Sequence, residues 1–341
     1  MLYPVSILLS VALSFFTVLI LGNKVKIFME RIGILGIDQQ KPNKPRIATS
    51  AGLLVISGIL LAGFSFIGLN TFLGANNLNL LSLLAAYNTI LIITLAGFLD
   101  DINTRAVPKN DKGLKEYRVG LKQWQKVLLT APAAIPLMAI RAGHTIMALP
   151  FIGSIDFGIL YPLVLVPIAV VCVSNATNML AGMNGLEAGL GFIANLTLGV
   201  YALTINQKEA ALIALTTAFS LLAFLRWNWY PAKFLPGDSL TYLIGASFVS
   251  AVIIGNMEKF GMIIFLPWII EALLKLRSGF KARSLGDLQK DGWLKAPYKK
   301  IYSLTHVVMM LGKFKEWKIT VIILSIEAII SISTLLFYLT T

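Results

Sequence analysis

The chain has 341 residues, 57% of them hydrophobic and only 13% charged, with a mean hydropathy of +0.79. A water-soluble domain averages about 45–50% apolar and about 25% charged residues, so this composition excludes one and specifies an integral membrane protein. The net charge of +13 would suggest a nucleic-acid partner in a soluble protein, but 26 of the 29 Lys and Arg crowd into four loops between apolar runs, so the charge reports membrane topology and no nucleic acid is expected.

Apolar runs near the roughly 20-residue spanning length are expected at 3–22, 48–68, 80–99, 123–141, 158–175, 187–205, 209–226, 239–256, 261–276 and 319–339, making 1–341 a single polytopic, all-α membrane domain of about ten transmembrane helices. Met1–Leu21 lacks a basic leader and a small-residue cleavage site, so it reads as a retained first span. Pro132, Pro136, Pro162 and Pro167 predict kinks in the fourth and fifth spans. The single cysteine, Cys172, excludes an intramolecular disulfide. Ten spans put both termini on one face. The loops 23–47, 100–126, 226–238 and 275–318 carry 6, 7, 2 and 11 Lys and Arg, whereas the other face has only Arg141, Lys208 and Lys259. The crowded face is therefore cytoplasmic and the termini extracytoplasmic. Trp293, Tyr298, Tyr302 and Trp317 among lysines predict a short amphipathic segment on the membrane surface.

The cytoplasmic loops carry the chemistry. The first offers Asp38, Lys41, Lys44 and Arg46, suited to an anionic ligand or simply to lipid headgroups. The second opens with GFLDDIN: Asp100 and Asp101 lie at a span end, Asn103 follows three residues after Asp100, and Lys109 to Lys126 supply a cationic stretch for phosphates. Asn175–Gly189 reads NATNMLAGMNGLEAG, mixing Asn175, Asn178, Asn184 and Glu187, oxygen donors that suit a hard cation, with glycines that let backbone approach a ligand. LPGDSLTY places Asp238 after Pro-Gly at a span start, where the local pattern taken alone reads first as an N-cap. The last loop holds Lys281 and Arg283, candidates for a pyrophosphate clamp, with Glu271 and Lys275 spaced to pair along one helix. Each motif alone has a bland explanation. Together they place acids and carboxamides beside cations on one face, as phosphoryl transfer between a cytosolic nucleotide and a bilayer-held acceptor requires.

NMLAGMNGLEAG, GFLDDIN with its trailing lysines, and LPGDSLTY, in this order and on one face, resemble the polyprenyl-phosphate N-acetylhexosamine-1-phosphate transferases, from about Gly36 to Arg283. NGLEAG looks like the eukaryotic and archaeal GlcNAc-1-phosphate branch; the bacterial branches usually show Asp-Gly-x-Asp-Gly here. The resemblance implies a ten-helix, Mg2+-dependent enzyme (Mn2+ as a substitute), its site facing the cytosol of an archaeal plasma membrane or endoplasmic reticulum. Its partners would be UDP-GlcNAc (the alternative donors being another UDP-HexNAc or a UDP-muramoyl peptide) and a polyprenyl or dolichyl phosphate, and a homodimer is compatible with it. By resemblance Asn178 and Asp238 are metal ligands, and Gly182 and Asn184 hold the uracil, with Glu187 beside them. Asp100 and Asp101 are then the paired catalytic acids with Asn103 nearby, and Lys126 or Lys122 contacts phosphates. Two departures stand out. The loop after Asp101 is longer than in relatives, which leaves the choice between Lys126 and Lys122 open. Relatives place histidines beside the last-loop arginines, but this chain has Lys281-Ala282-Arg283, and its two histidines are His144 and His306. The main competing class is a secondary transporter, which would carry polar groups at the midplane in repeated halves. Only Glu327 is such an acid, and no repeat is visible.

Overall fold

The computed structural model of the protein describes residues 2–73, 78–103, 121, 123–149 and 153–340. Lys109, Lys112, Lys115, Arg118 and Lys122 lie outside the described residues. Eight described helices are long and apolar enough to cross a membrane. They are α1 (Leu2–Arg31), α2 (Gly52–Phe72), α3 (Leu80–Asn103), α6 (Val166–Met179, entered through a π turn at Tyr161–Leu165), α7 (Leu186–Thr204), α8 (Lys208–Asn228), α9 (Gly237–Gly255) and α13 (Glu316–Thr340).

The other two apolar runs are broken. The fourth consists of α4 (Gln123–Thr130), a 3-10 turn at Ala131–Ala134 and α5 (Ile135–Ala139), with Pro132 and Pro136 at the starts of the later pieces. The ninth is α10 (Glu258–Ile264) and α11 (Leu266–Leu276), divided at Phe265 with Pro267 opening the second piece. Proline lacks an N–H and clashes with the preceding turn, so the breaks fall where the sequence places it.

Helix α9 is the axis of the bundle: 89% of its apolar stretch is buried, against 33% for α13. Small residues let its neighbours approach. A Cβ on Gly97 of α3 would sit 2.6 Å from Asp238 O, and one on Gly245 of α9 would sit 2.5 Å from Ser174 Cα of α6. Such contacts hold membrane helices together where lipid gives no hydrophobic drive. Glu327, the mid-span acid, is fully buried in α13 and accepts the Ser331 hydroxyl of its own helix at 3.0 Å.

Three two-stranded hairpins qualify the all-α expectation: β1 (Leu35–Ile37) with β2 (Arg46–Ala48), β3 (Ile146–Leu149) with β4 (Gly153–Asp156), and β5 (Asp287–Leu288) with β6 (Leu294–Lys295). The first one positions the site. Leu235 N donates to Ala48 O at 2.8 Å and Ala51 N to Pro236 O at 2.9 Å, so the strand is stitched to the turn that opens α9. In the stretch expected to be amphipathic, the chain forms the β5–β6 hairpin and α12 (Leu304–Leu311), which buries Thr305, His306, Val308 and Met309.

Candidate active site

A polar cavity of about 620 Å3 opens where α3, α4, α6 and α9 end in the Lys- and Arg-rich loops. At its base Lys126 of α4 points its ammonium between two carboxylates, 2.5 Å from Asp100 Oδ2 of α3 and 2.5 Å from Asp238 Oδ2 of α9. Asp100 is 2% exposed and Asp238 6%. Charges so enclosed persist only when paired, so each of the three holds the others in place.

Asp101 does different work. Its Oδ1 accepts Asp238 N–H at 2.7 Å, and its Oδ2 accepts Ser239 N–H at 3.1 Å and the Ser50 hydroxyl at 2.5 Å. The Asp238 and Ser239 N–H groups are orphan donors of the first turn of α9, so Asp101 caps α9 from another helix. The local reading of Asp238 as a self-contained N-cap is thereby corrected: Pro236 occupies the cap position with no side-chain cap bond, and the Asp238 carboxylate faces Lys126. Gly237, at φ +69°, permits the turn, because a Cβ there would run into the Asp101 carboxylate.

Asn175 and Asn178 line the cavity from the end of α6, with Asn175 Nδ2 donating to Thr130 Oγ1 at 3.2 Å. Gly182, Asn184 and Glu187 line it from the following turn. Gly182, at φ +104°, is exposed, its N–H donating to Glu187 Oε1 at 2.7 Å and its carbonyl accepting Gln40 Nε2 at 2.8 Å. Asn184 is buried, and its Oδ1 accepts Ala232 N–H at 2.9 Å. Lys281 and Arg283 are exposed on the rim, where Arg283 pairs with Asp287 at 2.5 Å. Behind them Glu271, fully buried, takes Lys275 at 3.7 Å, the Ser284 and Ser303 hydroxyls at 3.2 and 3.1 Å, and Leu304 N–H at 2.7 Å. It thus moors the loop that carries Lys281 and Arg283.

Asn103 is not brought in. It is exposed, its Nδ2 donates to Leu99 O at 3.0 Å, and it does not line the cavity. Lys122 lies outside the described residues. Sequence reasoning missed Gln40, Ser50 and Glu316, polar residues of loops and helix ends with no motif around them.

Among the described residues no three Asp, Glu, His or Cys side chains form a closed metal cage. The donor set nevertheless suits a hard divalent cation completed by substrate phosphates. Asp100 and Asp238 already share a cation, Lys126, and the Asn178 carboxamide lines the same cavity.

A second, apolar groove of about 460 Å3 lies elsewhere along α6 and α11 and shares no lining residue with the cavity. It is lined by Cys172, Val173 and Ala176 of α6 and Ala272 and Leu273 of α11, and those helices continue into the cavity as Asn178 and Lys275.

The glycosyl transferase family 4 model matches residues 83–256. Similarity runs well beyond that. The chain is 36% identical over 338 residues to a Saccharolobus solfataricus protein provisionally named a UDP-N-acetylglucosamine–dolichyl-phosphate N-acetylglucosaminephosphotransferase, covering 98% of each chain. The chain belongs to glycosyl transferase family 4. The Dictyostelium discoideum enzyme of the same name is 25% identical over 278 residues, 70% of this chain and 64% of its own. A phospho-N-acetylmuramoyl-pentapeptide-transferase of Lactiplantibacillus plantarum is 30% identical over 294 residues, 84% of each. The family-4 match includes α9 and the ends of α3 and α6, so Asp100, Lys126, Asn178 and Asp238 all fall inside it.

Proposed function

We propose that this family-4 protein transfers GlcNAc-1-phosphate from UDP-GlcNAc to a polyprenyl, dolichyl-type, phosphate, giving polyprenyl-pyrophosphoryl-GlcNAc and UMP, the first step of lipid-linked oligosaccharide assembly. The observation that carries this reading is the Lys126 ammonium held between the Asp100 and Asp238 carboxylates at the polar cavity, with an apolar groove elsewhere along the same helices α6 and α11. A nucleotide sugar suits the first chamber and a lipid chain the second. The names of the Saccharolobus solfataricus and Dictyostelium discoideum relatives support it.

In this reading an acceptor phosphate oxygen attacks the β-phosphorus of the donor, and the bond to the UMP oxygen breaks. Positioning and charge neutralisation supply most of the rate in phosphoryl transfer. Lys126 meets the phosphates, and Asp100 and Asp238 keep its ammonium at the end of α9. A phosphate monoester is already largely ionised near neutral pH (pKa2 about 6), so the acceptor needs orientation more than a base. That task falls to the Asp100–Lys126 pair, since the Asp101 oxygens are occupied by α9. Gly182 lets the base approach backbone closely, Asn184 holds it, and Lys281 and Arg283 guard the rim. Asn178 and Asp238 would hold Mg2+ (or Mn2+), which supplies neutralisation of the diphosphate and the leaving UMP. With the two broken runs counted as spans, the clustering of Lys and Arg supports a site on the cytosolic side, of an archaeal plasma membrane or endoplasmic reticulum in this reading.

The test incubates membranes containing the full chain with polyprenyl phosphate and labelled UDP-GlcNAc, UDP-GalNAc or UDP-MurNAc-pentapeptide, with Mg2+ or EDTA. Organic-soluble label from UDP-GlcNAc alone, abolished by EDTA, is expected. Label from the muramoyl donor alone would transfer the assignment to the bacterial-type reaction, and cation-coupled uptake without transfer would make the protein a transporter.

A further inference from the structure

Ala181, Gly182, Met183 and Asn184, between α6 and α7, form one wall of the polar cavity, and the side chains that hold them come from opposite ends of the sequence. Glu316, the first residue of α13, accepts the Asn184 N–H on Oε1 at 2.8 Å and the Lys41 ammonium on Oε2 at 2.5 Å. Lys41 also reaches Asp38 at 3.1 Å and lies 4.5 Å above the Tyr230 ring. Two residues beyond Tyr230, Ala232 N–H donates to Asn184 Oδ1 at 2.9 Å, and Thr320, one turn along α13, donates to Asn184 O at 3.2 Å. On the other side Gln40 donates to Gly182 O at 2.8 Å while accepting Gly286 N–H at 3.0 Å.

The N–H, carbonyl and side-chain oxygen of Asn184 are therefore all engaged. Because the Ala232 N–H requires an acceptor, the carboxamide can point only one way, and its NH2 is the group left to offer a ligand. Lys41 and Glu316 are 8% and 3% exposed. Buried ion pairs are on average no better for stability than apolar residues of similar volume. Stability therefore gives no reason for the pair, whereas its contacts do: it is the joint at which the first loop and the last helix grip the Asn184 backbone.

We propose that the Lys41–Glu316 ion pair is a positioning device for nucleotide recognition, presetting Asn184 so that the donor's base meets an ordered NH2. The proposal rests on reading the cavity as the nucleotide-sugar site. Presetting a loop removes the ordering cost from the binding step, so the pair should be felt in donor affinity and not in turnover.

The experiment measures UDP binding to the purified full-length protein in detergent by titration calorimetry, together with donor KM, acceptor KM and kcat per folded molecule. Glu316→Gln and Lys41→Met are each expected to weaken UDP binding and raise donor KM about tenfold, with acceptor KM and kcat within threefold of wild type. Lys41→Arg should recover most of the loss. A purely structural role would lower the folded fraction and leave donor KM where it was. If the single variants do not accumulate, the double variant Lys41→Met with Glu316→Gln, which removes both partners together, is measured instead with the same expectation. UDP affinity and donor KM within twofold of wild type in these variants would overturn the proposal alone. A wild-type protein that transfers no sugar and binds no UDP would overturn the nucleotide reading, and the proposal with it.

Discussion

Asp100 and Asp101 are neighbours with identical side chains, and the structure gives them opposite dependences. Asp101→Asn keeps one carboxamide oxygen for the three donors that now converge on the carboxylate: Asp238 N–H at 2.7 Å, Ser239 N–H at 3.1 Å and the Ser50 hydroxyl at 2.5 Å. The new NH2 faces donors instead of accepting from them. At least one enclosed helix N–H loses its partner, which costs about 1–3 kcal/mol. Loss of the negative charge at the positive end of α9 adds about 0.3–1 kcal/mol. Asp101→Asn should therefore lower stability by about 1–4 kcal/mol and reduce turnover indirectly, through displacement of Asp238. Asp100→Asn removes one of two carboxylates on Lys126, and Asp238 still pairs with the ammonium at 2.5 Å. Its expected effect is a loss of about 10²-fold in kcat, the scale of removing one preorganised electrostatic contact, with little change in melting. Thermal unfolding followed by size-exclusion chromatography in detergent, alongside transfer rate per folded molecule, separates the two. If Asp101→Asn melts like wild type while its turnover falls a hundredfold, Asp101 acts on substrate and the assignment of it as a cap is refuted.

Gly237→Ala places a methyl group against Asp101 and 2.8 Å from Ser50 N at a φ of +69°, so a stability loss of at least about 1–3 kcal/mol is expected in the same melt. Asn103→Ala, at an exposed position off the cavity, should leave kcat and both KM values within twofold. His306 is fully buried, and burial, with lesser contributions from Lys275 and Arg283, pushes its imidazole down to about 4 from the ordinary 6.5. Its folded form stays neutral while the unfolded chain takes a proton, so its contribution to stability is present above pH 6.5 and is lost as pH falls from there toward 4. A pH series of melting temperatures should show a steeper acid-side fall in wild type than in His306→Gln; parallel curves would remove His306 from the account.

The functional face was legible because its signals are local. The clustering of basic residues requires no tertiary information, and the order of GFLDDIN, NMLAGMNGLEAG and LPGDSLTY can be read by eye. What stayed hidden depends on contacts between distant parts of the chain. PGDS reads as an N-cap by Asp238, yet the cap comes from Asp101, 137 residues earlier. Nothing in KFKEW marks Glu316 as buried, and its partner Lys41 is 275 residues away. Asn103 shows the limit of helical spacing as an argument. Three residues at about 100° each leave it about 60° around from Asp100, enough to place one side chain in the core and the other in the open. Proline predicts kinks in the fourth and fifth runs: the fourth is broken outright at Pro132 and Pro136, the fifth is entered through a π turn that contains Pro162, and the break in the ninth run at Pro267 carries no such expectation.

Placing the cap on a different helix from the acid it positions has a mechanical consequence. Asp238 is fixed at its backbone by Asp101 from α3 and at its carboxylate by Lys126 from α4, and α3 supplies Asp100 to the same lysine. The three groups form a closed ring of constraints across three helices, so no one of them can shift without loading the other two. The wall opposite is built the same way: Asn184 is gripped by Glu316, Thr320 and Ala232. The rim between them carries the exposed Lys281 and Arg283. The loop that bears this rim is itself held, Ala282 O by Lys275, the Ser284 hydroxyl by Glu271 and Gly286 N–H by Gln40, so adjustment on binding is confined to the exposed Lys281 and Arg283 side chains. Donor sugars should therefore be distinguished there, while the diphosphate and the base meet groups already in place.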